Sequence, residues 1–343
     1  MKPFRLLSTR QVVVFSGLLL FAAGRVAADV RLPAIIGDGM VLQCDKPVVI
    51  WGWAAPGEEV TVAIGGNRAT TNADAKGEWM VRLAAMKASA EPVELTVTGA
   101  SGRKIKRKNV LIGDVWIGSG QSNMERAMES RFNGKPLYEG GDYPGIRLFH
   151  TPKKTATAPA ADVSARWIQC SPESTRTFSA VLYHFGLHLH TELGVPVGLI
   201  ESAWAGTPIQ PWTPPEGFAS EPALAADLEW VKGADDRYED AEAACLVQFA
   251  AWLAKAKLAT GEGRPISAPP SWPRHPMLSH RSPTGIYNAM IHPLARFAIR
   301  GAIWYQGEDN VGVGMHYHHQ LKGLIQGWRQ VWKQGDFPFY YVQ

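Results

Sequence analysis

The chain has 343 residues, which at about 150 residues per domain suggests two domains. With 46% hydrophobic and 19% charged residues, its composition is that of a globular protein and excludes a disordered, collagen-like or coiled-coil chain. The formal net charge of +4 is matched by Lys2, Arg5, Arg10 and Arg25, since the first 28 residues contain no acidic residue. A chain without them is neutral, which gives no electrostatic basis for binding nucleic acid or an anionic membrane.

The first 28 residues are typical of a secretory signal peptide. Residues 1–10 are basic, residues 12–23 are apolar, and residues 26–28 (VAA) have the small side chains that signal peptidase reads. A membrane anchor is the alternative, but the apolar stretch is shorter than the about 20 residues that span a bilayer. The sequence predicts cleavage after Ala28, export to the periplasm or the extracellular space, and no membrane partner for the mature protein.

Cysteine usage and glycine patterns argue against bound cofactors. Cys44, Cys170 and Cys245 have no CxxC spacing, so we expect neither a zinc site nor a disulfide framework, and at most one disulfide bridge. The sequence has no phosphate-binding glycine loop of the P-loop or dinucleotide type. We therefore predict no metal and no cofactor.

The region before residue 110 predicts an all-β domain. Apolar residues alternate in short runs, among them Val60, Val62 and Ile64, and turn residues such as those at 65–67 separate the runs. This pattern is typical of a small sandwich with one solvated face, which we place at residues 29–109. The basic run 103–108 at its end is either a polyanion site or charged protection of a strand edge, which is the commoner role.

From residue 110 to residue 343, predicted strands alternate with predicted helices. This alternation is typical of a parallel sheet covered by helices on both faces, an α/β fold. The strands are predicted at residues 115–117, 146–150, 197–200, 298–304 and 337–342. The helices have apolar stripes formed by Leu182, Phe185, Leu189 and Leu193, and by Leu321, Leu324, Ile325, Trp328 and Trp332.

An insertion interrupts this alternation at about residues 214–284. It contains a predicted helix with Leu246, Phe249, Ala250 and Leu253 at helical spacing, followed by a Pro-rich tract from Pro265 to Pro283. A Pro-rich segment of this length is usually a surface excursion or a lid rather than core.

Three turns follow predicted strands and contain small polar residues: 118–125, 201–207 and 306–310. Ligands of parallel α/β sheets bind beyond the carboxyl ends of the strands, so we expect these turns to form the site. In the first turn, Gly118 and Gly120 permit a tight strand-to-helix connection that presents the Ser122 hydroxyl where backbone N–H groups favour negative charge. A helix N-cap is an equally good interpretation of Ser122. The turn is not the Gly-x-Ser-x-Gly elbow of α/β-hydrolases.

These turns resemble the sialate O-acetylesterase family of SGNH-type serine esterases. The resemblance is carried by residues 113–125, 204–212 and 301–308, and residues 38–43 and 287–291 also match, so that it covers nearly all of the mature chain. It implies a flavodoxin-like SGNH hydrolase fold after the β-sandwich. It also implies hydrolysis of acetyl esters on a carbohydrate.

The resemblance also implies residue roles. Ser122 is the nucleophile, and the oxyanion hole takes the backbone N–H groups of Ser122 and Gly206 and the side-chain amide of Gln306. Without the family, Gly206 is equally a plain turn glycine and Gln306 more readily a structural amide at a strand end. Glu308 either orients a catalytic histidine or holds its own turn. Candidate substrate-binding residues are Gln121, Asn123, Trp204 and Asn310.

A serine esterase of this kind needs a histidine as general base. In the family that histidine lies in an Asp-x-x-His motif after the last strands, and no such motif occurs in this sequence. We therefore expect a C-terminally truncated member that is inactive alone. The spacing of the cluster at 316–319 is weak evidence for a metal site. No other signal marks a base among the histidines considered, most of which we expect on helix surfaces: His184, His188, His190, His292, His316, His318 and His319.

Four positions depart from the family pattern: Cys44 replaces an arginine, Arg126 an aromatic residue, Ala205 a glycine and Asp309 a small residue. Arg126 and Asp309 flank the expected cleft, so they bear on substrate preference rather than on the type of reaction.

The sequence therefore predicts an exported carbohydrate O-acetylesterase, with O-acetylated sialic acids as the first candidate substrates. An esterase of acetylated xylan would use the same residues. A carbohydrate-binding module without catalysis is the alternative of another class, with Trp204, Trp212 and Trp304 as stacking platforms. Tryptophans beside small residues are more often part of a core.

Overall fold

The computed structural model describes residues 29–132, 135–136 and 140–342, so the predicted signal peptide lies outside the described residues. The strands are β1 (Val41–Gln43), β2 (Val48–Trp53), β3 (Glu59–Ile64), β4 (Asn67–Asn72), β5 (Glu78–Leu83), β6 (Ser89–Gly99), β7 (Lys104–Gly120), β8 (Arg131–Phe132), β9 (Lys135–Pro136), β10 (Tyr143–His150), β11 (Trp167–Cys170), β12 (Val197–Ala203), β13 (Gly301–Tyr305) and β14 (Phe339–Tyr341). The α-helices are α1 (Ser122–Glu125), α2 (Pro172–Thr175), α3 (Ala180–Leu193), α4 (Pro215–Ser220), α5 (Ala225–Lys232), α6 (Ala234–Gly261) and α7 (His316–Trp332).

The central sheet has the strand order β11-β10-β12-β7-β13-β14. Strands β10, β12, β7, β13 and β14 are parallel, and β11 is an antiparallel edge strand. Every residue of β12 is buried, as expected for a strand with both faces covered. The predicted α/β class is confirmed.

Successive side chains of a strand point to opposite sides, so the apolar strands of this sheet have two faces to bury. Helices cover both of them. On one face, Trp116 and Leu199 pack with Leu182 of α3. On the other face, Ile117 and Trp304 belong to the cluster that contains Trp328 of α7. Both helices occur where the apolar stripes predict them, although Leu193 at the end of α3 is exposed.

Strand β7 is 17 residues long and links two sheets. Its first part pairs with β6 and β1, and its last part pairs with β12 and β13. Strands β3 and β4 extend the sheet beyond β6, while β2 and β5 form a separate antiparallel pair. One apolar cluster joins β3, β5 and β7 to α7. Since β7 crosses residues 109–110 without a break, a separate β-sandwich domain stays a prediction.

The basic run 103–108 leads into the exposed first part of β7. Lys106 pairs with Glu94 at 2.8 Å, and the Arg107 guanidinium donates to the Ile36 carbonyl at 2.9 Å. These contacts are those of a solvated strand face.

The insertion contains α4, α5 and the 28-residue α6, followed by a tract with little regular structure. Leu246 and Leu253 of the predicted apolar stripe are 58% and 48% exposed, so the helix is present but its stripe is not buried. The tract returns along α6, where the Trp252 indole donates to the Ser267 carbonyl at 2.8 Å. Helix α6 and the tract along it form a surface excursion, whereas α4 packs on α7 with Phe218 buried.

The three cysteines are buried thiols with no disulfide between them. Within the described ranges, no helix has the length and apolar character needed to cross a bilayer.

Candidate active site

The three predicted turns lie side by side at the carboxyl edge of the central sheet. Gly120 at the end of β7 is in register with Ala203 of β12 and with Tyr305 of β13. Two backbone hydrogen bonds join the turns, from Gln121 N–H to the Tyr305 carbonyl and from Trp204 N–H to the Gly120 carbonyl, each at 3.0 Å. The strand order therefore brings together segments that are far apart in the sequence.

Gly120 makes the close approach of β7 and β13 possible. Its φ of +138° is one that residues with a Cβ rarely adopt, and a Cβ here would lie 2.1 Å from the Tyr305 carbonyl oxygen. The chain can therefore leave β7 sharply and begin α1 only with glycine at this position.

Ser122 is the first residue of α1 and is exposed. Gln121 occupies the N-cap position, and its side chain makes no capping hydrogen bond. The interpretation of Ser122 as an N-cap is therefore wrong, because the helix begins one residue too early for it. Neither the hydroxyl nor the backbone N–H of Ser122 has a hydrogen-bond partner among the described residues outside its own helix. The hydroxyl is thus accessible at the edge of the sheet.

Gln121 holds the third turn. Its side chain is 5% exposed, and its Oε1 accepts hydrogen bonds from Gly307 N–H at 3.4 Å and Asp309 N–H at 3.2 Å. This is the turn-holding role that we considered for Glu308. This contact engages Oε1 alone, so substrate binding by the Gln121 side chain stays a prediction.

Glu308 and Asn123 face each other across the cleft. The Asn123 amide donates to Glu308 Oε1, which joins the first turn to the third. Glu308 is exposed and has no histidine partner among the described residues. In this structure Glu308 positions Asn123, and a role in orienting a histidine stays a prediction.

The second turn presents the Gly206 N–H without an acceptor among the described residues. Gly206 has a φ of +70°, the left-handed conformation that favours glycine. Its neighbours restrain it, since Ala205 N–H donates to Glu125 and the Thr207 hydroxyl donates to the Trp204 carbonyl at 2.7 Å. A free N–H in a restrained turn next to Ser122 suits an oxyanion-hole donor.

Gln306 and Asn310 belong to a buried amide network. Gln306 Nε2 donates to Asn310 Oδ1 at 2.7 Å and to the Thr207 carbonyl at 3.2 Å, while its Oε1 accepts from the Tyr317 hydroxyl at 2.8 Å. Asn310 Oδ1 also accepts from Ile209 N–H at 2.9 Å. Both amide hydrogens of Gln306 are therefore engaged within the protein. This arrangement favours the structural interpretation of Gln306, and it buries Asn310 away from substrate.

The three tryptophans proposed as stacking platforms are not equivalent. Trp212 and Trp304 are 0% and 1% exposed and pack edge to face in the core. Trp204 is half-buried, and the His280 ring stacks on it with centroids 5.3 Å apart. Two of the platforms are wrong because they lie in the core, and one face of the third is covered.

The insertion supplies two residues of the site that sequence reasoning missed. His280 lies on Trp204, and the Arg281 guanidinium donates from Nη1 to the Gly206 carbonyl at 2.7 Å and forms an ion pair with Asp309 Oδ2 at 2.6 Å. No local pattern in a Pro-rich tract signals such a contact. Only the path of the chain back over the second turn reveals it.

A buried carboxyl group lies at the same edge, on the face covered by α3. Burial raises the pKa of Glu201 to about 8, although the Ser179 N–H bonds its Oε2 at 2.9 Å. His150 Nδ1 is 3.8 Å from Glu201 Oε2, and burial lowers the pKa of His150. Glu201 Oε1 has no hydrogen-bond partner among the described residues.

The other histidines lie apart from the three turns. His190 and His292 each contact a backbone carbonyl, of Val195 and Ala160, and His319 contacts Glu221. Within the described part of the chain, no group of three or more histidine, cysteine, aspartate or glutamate side chains could hold a metal ion.

The chain is similar to curated sialate O-acetylesterases. It is 29% identical to that of Pongo abelii in an alignment of 359 positions, and 28% identical to that of Homo sapiens. Each alignment covers 95% of this chain. It spans 59% of the length of these relatives. No protein-family model matches the chain.

Among solved structures, the chain is similar to a carbohydrate acetylesterase from Xanthomonas citri. The TM-score is 0.69 and the identity 30%, with 92% of this chain and 60% of that chain covered. The resemblance indicated by the motifs is therefore confirmed: nearly the whole chain is similar to sialate O-acetylesterases.

Proposed function

We propose that this protein is a carbohydrate O-acetylesterase with Ser122 as its nucleophile. The observation that carries the proposal is the exposed Ser122 hydroxyl beside the free Gly206 N–H, at the edge where the three turns meet. The similarity to sialate O-acetylesterases and to a carbohydrate acetylesterase supports an acetylated carbohydrate as substrate.

The reaction proceeds in two steps. Ser122 Oγ attacks the acetyl carbonyl carbon while a base takes its proton, and the sugar hydroxyl leaves with that proton. Water then hydrolyses the acetyl-serine and releases acetate. The oxyanion of each tetrahedral intermediate accepts hydrogen bonds from the N–H groups of Ser122 and Gly206. For Gln306 to be the third donor, its amide must give up the Thr207 carbonyl or Asn310.

We propose that the general base is not one of the described histidines. None of them contacts Ser122, and the Asp-x-x-His motif that the resemblance implies does not occur in the sequence. Activity is therefore best compared between the 343-residue chain and a chain extended at its carboxyl end by a segment with the Asp-x-x-His motif. We expect hydrolysis of an aryl acetate to be slow in the first and fast in the second.

The nucleophile is tested by Ser122→Ala in whichever of these proteins is active. Loss of a nucleophilic serine lowers kcat by about 10³-fold or more, and we expect a loss of that size. Ser119→Ala is a matched control, because the Ser119 hydroxyl is buried three residues upstream and has no hydrogen-bond partner among the described residues. Full activity of Ser122→Ala would refute the proposal.

The finer proposal is that the substrates are O-acetylated sialic acids, as for the curated relatives named sialate O-acetylesterase. Acetate release from O-acetylated sialic acid and from acetylated xylan separates this substrate from the alternative. Faster turnover of acetylated xylan would replace the sialic acid proposal and leave the nucleophile unchanged.

We also propose export with cleavage after Ala28. The basic and apolar segments of residues 1–28 and the small residues at 26–28 support it. Sequencing the amino terminus of the protein from the native host is expected to begin at Asp29. A mature protein that begins at Met1 would contradict cleavage.

A further inference from the structure

Arg281 lies in a segment, residues 276–285, that the fold holds against the second turn. Its Ser282 hydroxyl donates to the Pro276 carbonyl at 2.7 Å, which closes the segment on itself. Thr284 N–H donates to the Gln210 carbonyl and the Thr284 hydroxyl to the Thr213 carbonyl, each at 3.1 Å. The backbone that carries Arg281 is thus anchored to the chain that follows the second turn.

The guanidinium of Arg281 is fixed through a single nitrogen. Nη1 contacts both the Gly206 carbonyl at 2.7 Å and Asp309 Oδ2 at 2.6 Å, so it joins the second and third turns. Nε and Nη2 have no hydrogen-bond partner among the described residues, and the side chain is 51% exposed. An arginine held at one nitrogen leaves its other edge as a planar two-donor fork.

We propose that Arg281 is a specificity-determining residue that binds a carboxylate of the acetylated sugar through Nε and Nη2. A planar guanidinium binds a carboxylate with two parallel hydrogen bonds, which gives geometric selectivity as well as binding energy. The proposal rests on the proposed function, and it adds that Arg281, a residue of the insertion, reads the charge of the sugar.

The charges around Arg281 determine whether removal of the Asp309 charge strengthens or weakens the binding of an acidic sugar. Asp309 orients the guanidinium but places a negative charge next to the incoming carboxylate. Lys153 is already paired with Glu125, the carboxylate that accepts from Ala205 N–H of the second turn. Removing the charge of Asp309 therefore strengthens the binding of an acidic sugar. If the guanidinium only connected the two turns, the same change would loosen it and would not strengthen binding of the acid.

The test is equilibrium binding by calorimetry, using N-acetylneuraminic acid and its methyl ester as probes. We expect the wild type to bind the acid at least about 10-fold more tightly than the ester. Arg281→Ala lowers affinity for the acid by about 10- to 100-fold and leaves affinity for the ester unchanged. Arg281→Lys gives an intermediate loss, because it keeps the charge and loses the fork. Asp309→Asn raises affinity for the acid.

Arg296 provides a matched control. It is 46% exposed and pairs with Glu78 at 2.9 Å, but it precedes β13 and so lies at the opposite end of the sheet. Arg296→Ala is expected to leave binding of both probes unchanged. Melting temperatures identify any variant that fails to fold, and the comparison of acid and ester in the wild type tests the proposal without any variant.

Four results would each overturn the proposal. In the wild type these are no preference for the acid and no binding of either probe. In the variants they are an equal loss for both probes in Arg281→Ala and weaker acid binding in Asp309→Asn. The proposed function fails separately. Ser122→Ala should abolish hydrolysis and keep the preference for the acid, and retained hydrolysis would refute the nucleophile while leaving the binding result in place.

Discussion

Helices α6 and α7 both contain apolar residues at helical spacing, but in α7 these residues form a much more pronounced stripe and their surroundings differ. In α7, Leu324, Trp328 and Trp332 are buried against the central sheet. In α6, Leu246, Val247 and Leu258 are 58%, 70% and 65% exposed, and the buried residues are small or at the ends. Spacing at i, i+3 and i+4 predicts a helix, but it does not show whether another surface covers the stripe.

The two regions also contribute to the site in opposite ways. The sheet under α7 supplies the three turns, whose positions follow from strand order and register. The insertion packs its helix α4 on α7, with Phe218 and Leu224 buried, and its Pro-rich tract places His280 and Arg281 on the second turn.

The largest contrast between the regions is expected from glycine substitutions. Gly120→Ala places a Cβ 2.1 Å from the Tyr305 carbonyl oxygen in an unfavourable backbone conformation, so we expect a loss of more than about 4 kcal/mol in the free energy of unfolding. Gly261→Ala at the end of α6 meets no atom within 4 Å and should have little effect. Denaturant unfolding measures both, and similar losses would break the contrast.

The next largest effect concerns the stripe of α7. Trp328→Ala removes a fully buried side chain and the hydrogen bond from its indole to the Trp212 carbonyl at 3.0 Å. We expect a loss of about 3–5 kcal/mol. The measurement is the midpoint of denaturant unfolding, with an unchanged slope of the free energy of unfolding against denaturant concentration. A loss of stability below about 1 kcal/mol would mean that α7 is not part of the core.

A pH-dependent effect is expected from Glu201 in the sheet region. Because burial raises its pKa from 4.5 to about 8, the folded state holds this proton more tightly than the unfolded state. The associated stability is fully present below about pH 4.5 and is lost as the pH rises through 8. Between about pH 4.5 and pH 8, the free energy of unfolding of the wild type should therefore fall by roughly 1 kcal/mol per pH unit relative to that of Glu201→Gln. Unfolding curves of both proteins across the window measure it, and a constant difference between them would contradict it.

The smallest effect is expected on α6. Leu246→Ser replaces a side chain of the predicted stripe that is 58% exposed, so the free energy of unfolding should change by no more than about 0.5 kcal/mol. The same denaturation experiment applies. A loss near that of Trp328→Ala would show that the stripe of α6 is covered in solution.

Much of this architecture could be predicted from local sequence signals. Alternating residues such as Val60 and Val62 predicted their strand, the stripe of α7 predicted that helix, and small polar residues after three strands predicted the turns. These signals report on short segments, and the parallel sheet then brings the turns together.

The contacts that the sequence did not predict join distant segments. The burial of Gln121 against the third turn and of Gln306 in its network depends on what the neighbouring strand presents. The contact of Arg281 with Gly206 joins residues 75 positions apart, through a tract with no periodicity. Local patterns contain no information about such pairs.

The unbroken path of β7 has a consequence for dividing this protein into fragments. A fragment that begins near residue 110 would lose β6 and β1, the hydrogen-bonding partners of Val110, Leu111 and Ile112, and would leave these apolar residues on a bare strand edge. Bare edges of this kind recruit other chains and cause aggregation. Fragments for expression should therefore retain residues 29–120 as one block, and inclusion bodies are the expected product of a cut at the apparent boundary.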